Sequence, residues 1–181
     1  MNQSIRIIGG QYRGKKLTFP AIEGLRPTPD RVRETLFNWL MSSIHDARCL
    51  DAFAGSGGLG FEAFSRGASK VVLVEQAPLA YKNLQKIALS FNSSKLSVIS
   101  KDAWVYMQQT KEQFDLIFLD PPFTQNHLPD CITILESTPL LAPNGLLYIE
   151  SPVEIVLNTE IWEQVRLKKA GQVVYGLYRK I

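Results

Sequence analysis

The sequence predicts an α/β fold built on a doubly wound, mostly parallel sheet. Three observations predict it: apolar strand patterns alternate with helical patterns from Arg48 onward, the strands are apolar along their length, and a glycine turn follows the first of them. Continuously apolar strands are typical of parallel sheets covered by helices on both faces. The length of 181 residues suits one such domain.

The predicted elements follow one another in chain order. Strands at 49–54, 70–75, 96–100, 114–119 and 145–150 alternate with helices at 59–66, 78–91, 103–109 and 128–137. Gly67 is expected to stop one helix, and Pro78 lies near the first turn of the next. Two further strands, at 162–169 and 172–179, meet near Ala170-Gly171 and predict an antiparallel edge.

Residues 1–29 are predicted to form a small extension ahead of a main domain at 30–181. Short alternating runs at 5–8 and 15–19, separated by glycines, favour a β-hairpin. A helix is expected to begin near Asp30, with Thr28 or Asp30 as its cap. An apolar stripe at helical spacing marks its buried face: Val32, Leu36, Phe37, Leu40 and Met41.

The charge is unevenly distributed. Residues 1–33 carry seven basic and two acidic side chains, whereas the remainder carries thirteen basic and fifteen acidic ones. A basic arm on a near-neutral body indicates a polyanionic partner, although a merely solvated face is the alternative. No apolar run is long enough to span a membrane and no signal-peptide pattern is present, so a cytoplasmic location is expected.

Neither cysteine has the spacing of a metal site. Cys49 and Cys131 lie in apolar surroundings and lack a nearby Cys or His partner, so buried, reduced thiols are expected and no metal is predicted. His45 and His127 are isolated and are interpreted as loop or surface residues.

Residues 55–60, Gly-Ser-Gly-Gly-Leu-Gly, match the G-x-G-x-x-G turn between a strand and a helix. Glu75 ends the next strand, where an acid accepts hydrogen bonds from ribose hydroxyls. A tight turn without a ligand is the alternative. Asp51, just ahead of the glycines, would repel a pyrophosphate but suits the sulfonium and ammonium groups of S-adenosylmethionine.

Asp102, after the third strand, is placed to accept a hydrogen bond from an adenine amino group, with a helix cap as the alternative. The predicted cofactor-binding residues are Asp51, Phe53, Gly55, Gly57, Glu75, Gln76, Asp102 and Ala103.

Residues 120–123, Asp-Pro-Pro-Phe, follow the fourth strand. The prolines stiffen the backbone and remove two amide donors, which leaves the Asp120 carboxylate and the Pro121 carbonyl as acceptors. Two acceptors that hold both N–H groups of an exocyclic base amine would pyramidalise its nitrogen, and Phe123 would stack on the base. The predicted catalytic residues are therefore Asp120, Pro121 and Phe123. A rigid loop that only ends the strand is the alternative.

Two blocks carry a family resemblance: 6–14, Arg-Ile-Ile-Gly-Gly-Gln-Tyr-Arg-Gly, and 25–40, which begins Leu-Arg-Pro-Thr-Pro-Asp-Arg. Together with Asp51 to Gly57, the Asp-Pro-Pro-Phe loop and the tail at 170–175, they closely resemble the bacterial RsmD family of 16S ribosomal RNA (guanine-N2)-methyltransferases. One departure is Gly58, where that family has alanine.

The resemblance implies a class I, Rossmann-like methyltransferase fold with a seven-stranded sheet and a β extension, with S-adenosylmethionine as cofactor. It implies a guanine of 16S rRNA as the target, held by Asp120 and Pro121. A small-subunit assembly particle is the expected form of the substrate, naked RNA and the whole subunit stay open, and a monomer is expected by default. RNA contacts are then expected from Arg13, Lys15, Lys16, Arg26, Arg31 and Arg33. For Arg26 and Arg31, which flank two prolines, shaping the mouth of the pocket is the alternative.

Two other functions stay open from the residues alone. An adenine-N6 or cytosine-N4 nucleic-acid methyltransferase would use the same loop. A nucleotide-binding oxidoreductase, or a non-catalytic RNA-binding module, would use the glycine turn or the basic arm without methyl transfer.

Overall fold

The computed structural model describes residues 2–181, which form a two-stranded hairpin and a seven-stranded sheet with helices on both faces. The strands are β1 (Asn2–Arg6), β2 (Lys16–Pro20), β3 (Arg48–Asp51), β4 (Lys70–Glu75), β5 (Leu96–Ser100), β6 (Phe114–Leu119), β7 (Leu141–Ser151), β8 (Trp162–Ala170) and β9 (Val173–Lys180). The helices are α1 (Asp30–Trp39), α2 (Gly58–Ser65), α3 (Pro78–Ser90), α4 (Ala103–Gln109) and α5 (Leu128–Ser137).

The strand order of the large sheet is β5-β4-β3-β6-β7-β9-β8. The five strands from β5 to β7 are parallel, and β9 pairs antiparallel with β7 and β8. The predicted class I fold with an antiparallel edge is thereby confirmed. The order reverses between β3 and β6, and open α/β sheets bind ligands beside such a reversal, at the carboxyl ends of the strands.

The sheet separates two apolar cores, because successive strand residues point to opposite faces. Leu73 and Phe118 face the side that holds α1, α2 and α3, and Ile7 and Leu17 of the hairpin region belong to the same cluster. Val72 and Ile117 face the side that holds α4 and α5. The hairpin therefore packs into the main core.

The N-terminal region differs from its prediction in three details. Strand β1 covers Asn2–Arg6 rather than residues 5–8. Pro29 occupies the N-cap of α1 and no side chain caps the helix, so neither Thr28 nor Asp30 has the predicted role. Met41 lies beyond the end of α1 and is 71% exposed, because the chain has already turned away from the core.

Two strands of the large sheet also differ in length. Regular pairing of β3 ends at Asp51 rather than at residue 54, although the amides of Ala52 and Ala54 still donate to Phe118 and Val74. Strand β7 begins at Leu141, four residues early, and its pairing with β6 shifts between Phe114 and Leu116.

Cys49 and Cys131 are both buried and free, as predicted. Within residues 2–181, no helix has the length and apolar content needed to cross a membrane.

Candidate active site

The carboxyl edge of the parallel strands collects a row of acids. Asp51 and Glu75 end β3 and β4, Asp102 and Asp120 follow β5 and β6, and Glu150 is the penultimate residue of β7. Since these strands are neighbours, the acids follow the order Asp102, Glu75, Asp51, Asp120 and Glu150 along one edge. The predicted placement of the first four is confirmed, whereas Glu150 was not among the predicted site residues.

The glycine turn after β3 requires glycine for two reasons. Gly55 and Gly57 have φ angles of 53° and 83°, in the left-handed region that glycine tolerates best. A Cβ atom on Gly57 would also lie 2.4 Å from the ring of Phe61. The Gly55 amide donates to Glu75 Oε2 at 2.9 Å, and Glu75 Oε1 accepts the Ala77 amide at 2.8 Å. Glu75 therefore fixes the turn against β4, and it is partly exposed at the edge.

Asp51 lies beneath this turn and is only 1% exposed. Its Oδ2 accepts the Gly60 amide at 2.9 Å, which anchors the first turn of α2. Burial raises the pKa of Asp51 to about 7, and the charges of Glu75 and Glu150 add to the rise while the Gly60 hydrogen bond opposes it. Because it is buried, the Asp51 carboxyl influences the site through its charge rather than through exposure to a ligand.

The remaining predicted cofactor residues surround the turn. Asp102 Oδ1 accepts the Val105 amide at 3.0 Å, so the helix-cap alternative holds, and the side chain is still partly exposed. Ala103 is buried and Gln76 is exposed. Phe53 stacks on His127, with ring centroids 6.0 Å apart, which places His127 at the site rather than on an unrelated surface.

The Asp-Pro-Pro-Phe loop follows directly after β6 and carries a carboxyl at its first position and an aromatic ring at its fourth. Phe123 is 48% exposed and Pro121 is buried. The hydroxyl of Thr28 donates to Asp120 Oδ2 at 3.2 Å, so the residue that was expected to cap α1 instead contacts the loop. Burial raises the pKa of Asp120, and the nearby Glu150 adds to the rise while the Thr28 hydrogen bond opposes it.

Glu150 is a buried acid that the sequence prediction did not assign to the site. Its Oε1 accepts the Tyr148 hydroxyl at 2.8 Å. Burial raises the pKa of Glu150, against the effect of hydrogen bonds from Tyr148 and Thr28. Asp120 and Glu150 are therefore two neighbouring acids that both lie near the Thr28 hydroxyl, whose single hydrogen is donated to Asp120. The available signal was an acid inside the apolar run Leu-Leu-Tyr-Ile-Glu, since strands seldom bury an unpaired carboxylate.

The prediction that Arg33 contacts RNA is wrong for this structure, because its side chain is 0% exposed. It forms an ion pair with the buried Glu62 at 3.3 Å and with Asp30 at 2.6 Å, and it also donates to the Arg6 carbonyl. Arg33 thus joins α1, α2 and the hairpin.

The other predicted RNA contacts lie on the surface. Arg13, Lys16, Arg26 and Arg31 are exposed. Lys15 is partly buried, since its ammonium donates to Ser90 Oγ and lies 3.9 Å from the centre of the Phe91 ring.

Comparison with known proteins identifies the family. The family model described as "Conserved hypothetical protein 95" matches residues 5–179. Ribosomal RNA small subunit methyltransferase D of Escherichia coli (strain K12) is 46% identical over 97% of this chain and 90% of its own length. The Haemophilus influenzae protein of the same name is 46% identical over 97% of this chain and 93% of its own.

A solved structure agrees with this result. "Putative methyltransferase yhhF" from Escherichia coli superposes with a TM-score of 0.89 at 44% identity and covers 98% of both chains. The family match over nearly the whole length and the close relatives show that this chain belongs to the family of ribosomal RNA small subunit methyltransferase D, as the resemblance predicted.

Proposed function

We propose that this chain transfers a methyl group from S-adenosylmethionine to the exocyclic N2 amine of a guanine in 16S rRNA. The observation that carries the proposal is the Asp-Pro-Pro-Phe loop after β6, in which Asp120 lies at the carboxyl edge of the sheet and the ring of Phe123, three residues further on, is exposed. Family membership supports ribosomal RNA as the substrate. The choice of guanine rests on the N-terminal blocks that resemble the guanine-N2 enzymes.

The charge of the site suits a cationic cofactor. Asp51, Asp120 and Glu150 all have a raised pKa, and the ion pairs found among residues 2–181 include none of the three. A sulfonium and an ammonium would offset these carboxylates, whereas a pyrophosphate would be repelled by them. When bound, S-adenosylmethionine supplies the electrophilic methyl group.

The glycine turn lies at the carboxyl edge of the sheet, where such a ligand would bind, and the Leu25 side chain lies beside it, 3.8 Å from the position of a Cβ atom on Gly55. We assign the turn, Glu75 and Phe53 to the cofactor's ribose and base, with Asp102 and Ala103 at the adenine end. Asp102 Oδ1 caps α4, so its other oxygen is the one available to an amino group.

The target amine is held by the loop. A guanine amine is a weak nucleophile because its lone pair is delocalised into the ring. The Asp120 carboxylate and the Pro121 carbonyl accept its two N–H groups and direct the lone pair outward, while Phe123 stacks on the base. The amine loses one proton when it gains a methyl group, and either the Asp120 carboxylate or water receives that proton.

The guanine base reaches Asp120 only when it is unstacked from its neighbours, because the loop lies at the edge of the protein's sheet and cannot enter an RNA double helix. Exposed Arg13, Lys16, Arg26 and Arg31 supply phosphate contacts that hold the surrounding RNA.

The function is tested by product analysis. The protein is incubated with S-adenosylmethionine and 16S rRNA, both naked and assembled with small-subunit proteins, and with DNA as the comparison. The nucleic acids are then digested and the nucleosides identified by mass spectrometry. N2-methylguanosine from the RNA is expected. N6-methyladenine or N4-methylcytosine as the product would overturn the choice of base.

The role of Asp120 is tested by Asp120→Ala. We expect methyl transfer to fall at least a hundredfold, the order of effect seen when one catalytic electrostatic group is removed. Binding of S-adenosylhomocysteine, measured by calorimetry, should change less than about threefold, since Asp120 contacts the amine. Normal turnover in this variant would contradict the assignment.

A further inference from the structure

A second basic segment lies outside the N-terminal arm. Residues 76–101 contain Lys82, Lys86, Lys95 and Lys101 and no acid. The chain outside 1–33 and 76–101 carries nine basic and fifteen acidic residues, so the small net charge of +3 hides two strongly basic segments. Ion pairs among residues 2–181 include none of these four lysines.

The fold brings the two basic segments together. The Asn83 side chain of α3 donates to the Thr18 carbonyl of β2 at 3.0 Å, and Lys15 reaches Ser90 at the end of α3. The hairpin and α3 are thus directly bonded at two places, although 65 and 75 residues separate the partners.

Lys82 and Lys86 are exposed and one helical turn apart on α3, beside Asn83. Lys16 and Thr18 are the exposed side chains of the adjoining strand β2. These four residues define the α3–hairpin surface. Helix α3 starts just after Glu75, at the edge that holds the acids, so the surface begins beside the candidate active site.

We infer that the α3–hairpin surface binds the RNA phosphate backbone, with Lys82 and Lys86 as contacts in addition to those of the N-terminal arm. The inference rests on the proposed function. Lysines that form no ion pair among residues 2–181, on a hairpin and a helix that contain no acid, attract a polyanion, and the acid-rich remainder of the molecule repels it, so the RNA is directed to this side.

The test is charge reversal with a matched control. Lys82→Glu/Lys86→Glu changes the proposed surface, and Lys168→Glu/Lys169→Glu makes the same change in charge on the exposed strand β8, at the opposite end of the sheet. Binding of a fluorescent 16S rRNA fragment is measured by anisotropy at several KCl concentrations. Thermal unfolding and S-adenosylhomocysteine binding verify that both variants are folded.

For Lys82→Glu/Lys86→Glu we expect affinity to fall at least tenfold near 0.1 M salt. The slope of log K against log salt should decrease by about 1 to 2, since each lost phosphate contact removes roughly 0.9. Lys168→Glu/Lys169→Glu should stay within about threefold of the unaltered protein, because β8 is assigned no phosphate contact. Equal weakening of both variants, or of neither, would overturn the assignment of the surface. Failure of the unaltered protein to methylate 16S rRNA is a separate result that would overturn the proposed function.

Discussion

Thr28 is the residue at which the N-terminal segment meets Asp120. It is 7% exposed, and its hydroxyl donates to Asp120, whose pKa is raised by burial and by the nearby Glu150. A hydroxyl that donates to a carboxylate stabilises the ionised form. Thr28 is therefore positioned to keep Asp120 ionised, which the proposed reaction requires because Asp120 accepts the N–H groups of the amine.

Thr28→Val tests this role. Loss of the hydroxyl removes a donor to the carboxylate, so the pKa of Asp120 should rise further and the acidic limb of the pH profile of kcat/KM should move to higher pH. A hydrogen bond to a charged group contributes roughly 1.5 kcal/mol or more, so activity near pH 7 should fall at least about tenfold. The pH profile is measured by single-turnover methyl transfer.

Thr28→Ser is the control, because it keeps the hydroxyl and should retain the profile of the unaltered protein. If Thr28→Val loses activity equally at every pH, the residue serves packing alone and the positioning role is rejected.

Site residues could be predicted from the sequence where their role depends only on their position relative to one strand or helix. Asp120 and the glycine turn each follow a recognisable strand, so sequence position alone places them at the carboxyl edge. Thr28 and Arg33 depend on partners 92 and 29 residues away, which local patterns do not reveal. Arg33 looked like an RNA contact because the charge of a side chain is visible in a sequence but its burial against Glu62 is not.

At the scale of elements, hydrogen bonds from backbone amides of the hairpin region hold the hairpin against α2. Glu62 is 0% exposed and accepts the amides of Ile8 and Gly9, both at 2.9 Å. The amide of Gln11 donates to the Ser65 carbonyl at 2.8 Å, so the chain between β1 and β2 lies against the end of α2. This close approach depends on Gly10, where a Cβ atom would lie 2.0 Å from that same carbonyl oxygen.

Gly10→Ala and Gly14→Ala form a matched pair. Both glycines have positive φ, 78° and 86°, but a Cβ atom on Gly14 has no neighbour within 4 Å. Each alanine should cost about 1 kcal/mol of backbone strain. Gly10→Ala should lower the free energy of unfolding by about 2 kcal/mol more, because it overpacks against a backbone carbonyl.

Urea unfolding measures the difference, and hydrogen exchange at the Gln11 amide should speed up only in Gly10→Ala. Equal destabilisation by the two alanines would show that the hairpin does not depend on this contact.

Elements with one clear apolar pattern were predicted within a residue of their observed ends, as for β4, β5, β6 and α4. The larger errors fall where pairing extends through polar residues. Strand β7 includes Pro143 and Asn144, which read as a turn, and its first residue pairs with Phe114 only across an irregularity. The boundary between an extension and a main domain at residue 29 stays a prediction, although Ile7 and Leu17 share the main core.

At the scale of the whole molecule, opposite charges are segregated between the surface and the site. Basic side chains lie exposed on the hairpin and α3, while Asp51, Asp120 and Glu150 are enclosed at the sheet edge without a cationic partner among residues 2–181. Enclosed acids of this kind favour a cationic ligand but oppose folding once they ionise. Stability should therefore depend on pH in a direction opposite to that of ordinary salt-bridged carboxylates.

Asp51→Asn measures how much the ionisation of one enclosed acid lowers the free energy of unfolding. The pKa of Asp51 rises from 3.8 to about 7 on folding, chiefly through burial. Well below pH 3.8 the carboxyl is protonated in both states and does not oppose folding. As the pH rises toward 7 the unfolded chain ionises first, so the free energy of unfolding declines, by up to about 4 kcal/mol once the folded carboxyl has also ionised.

The asparagine variant has no such titration, and its side-chain oxygen still accepts the Gly60 amide. The unfolding free energy of the unaltered protein, measured in urea from pH 4.5 to 7.5, should thus fall relative to that of Asp51→Asn as the pH rises. Parallel curves would mean that Asp51 is as well solvated in the folded protein as in the unfolded chain. A cation bound at the glycine turn should bring the two curves closer, because it stabilises the ionised Asp51 carboxylate.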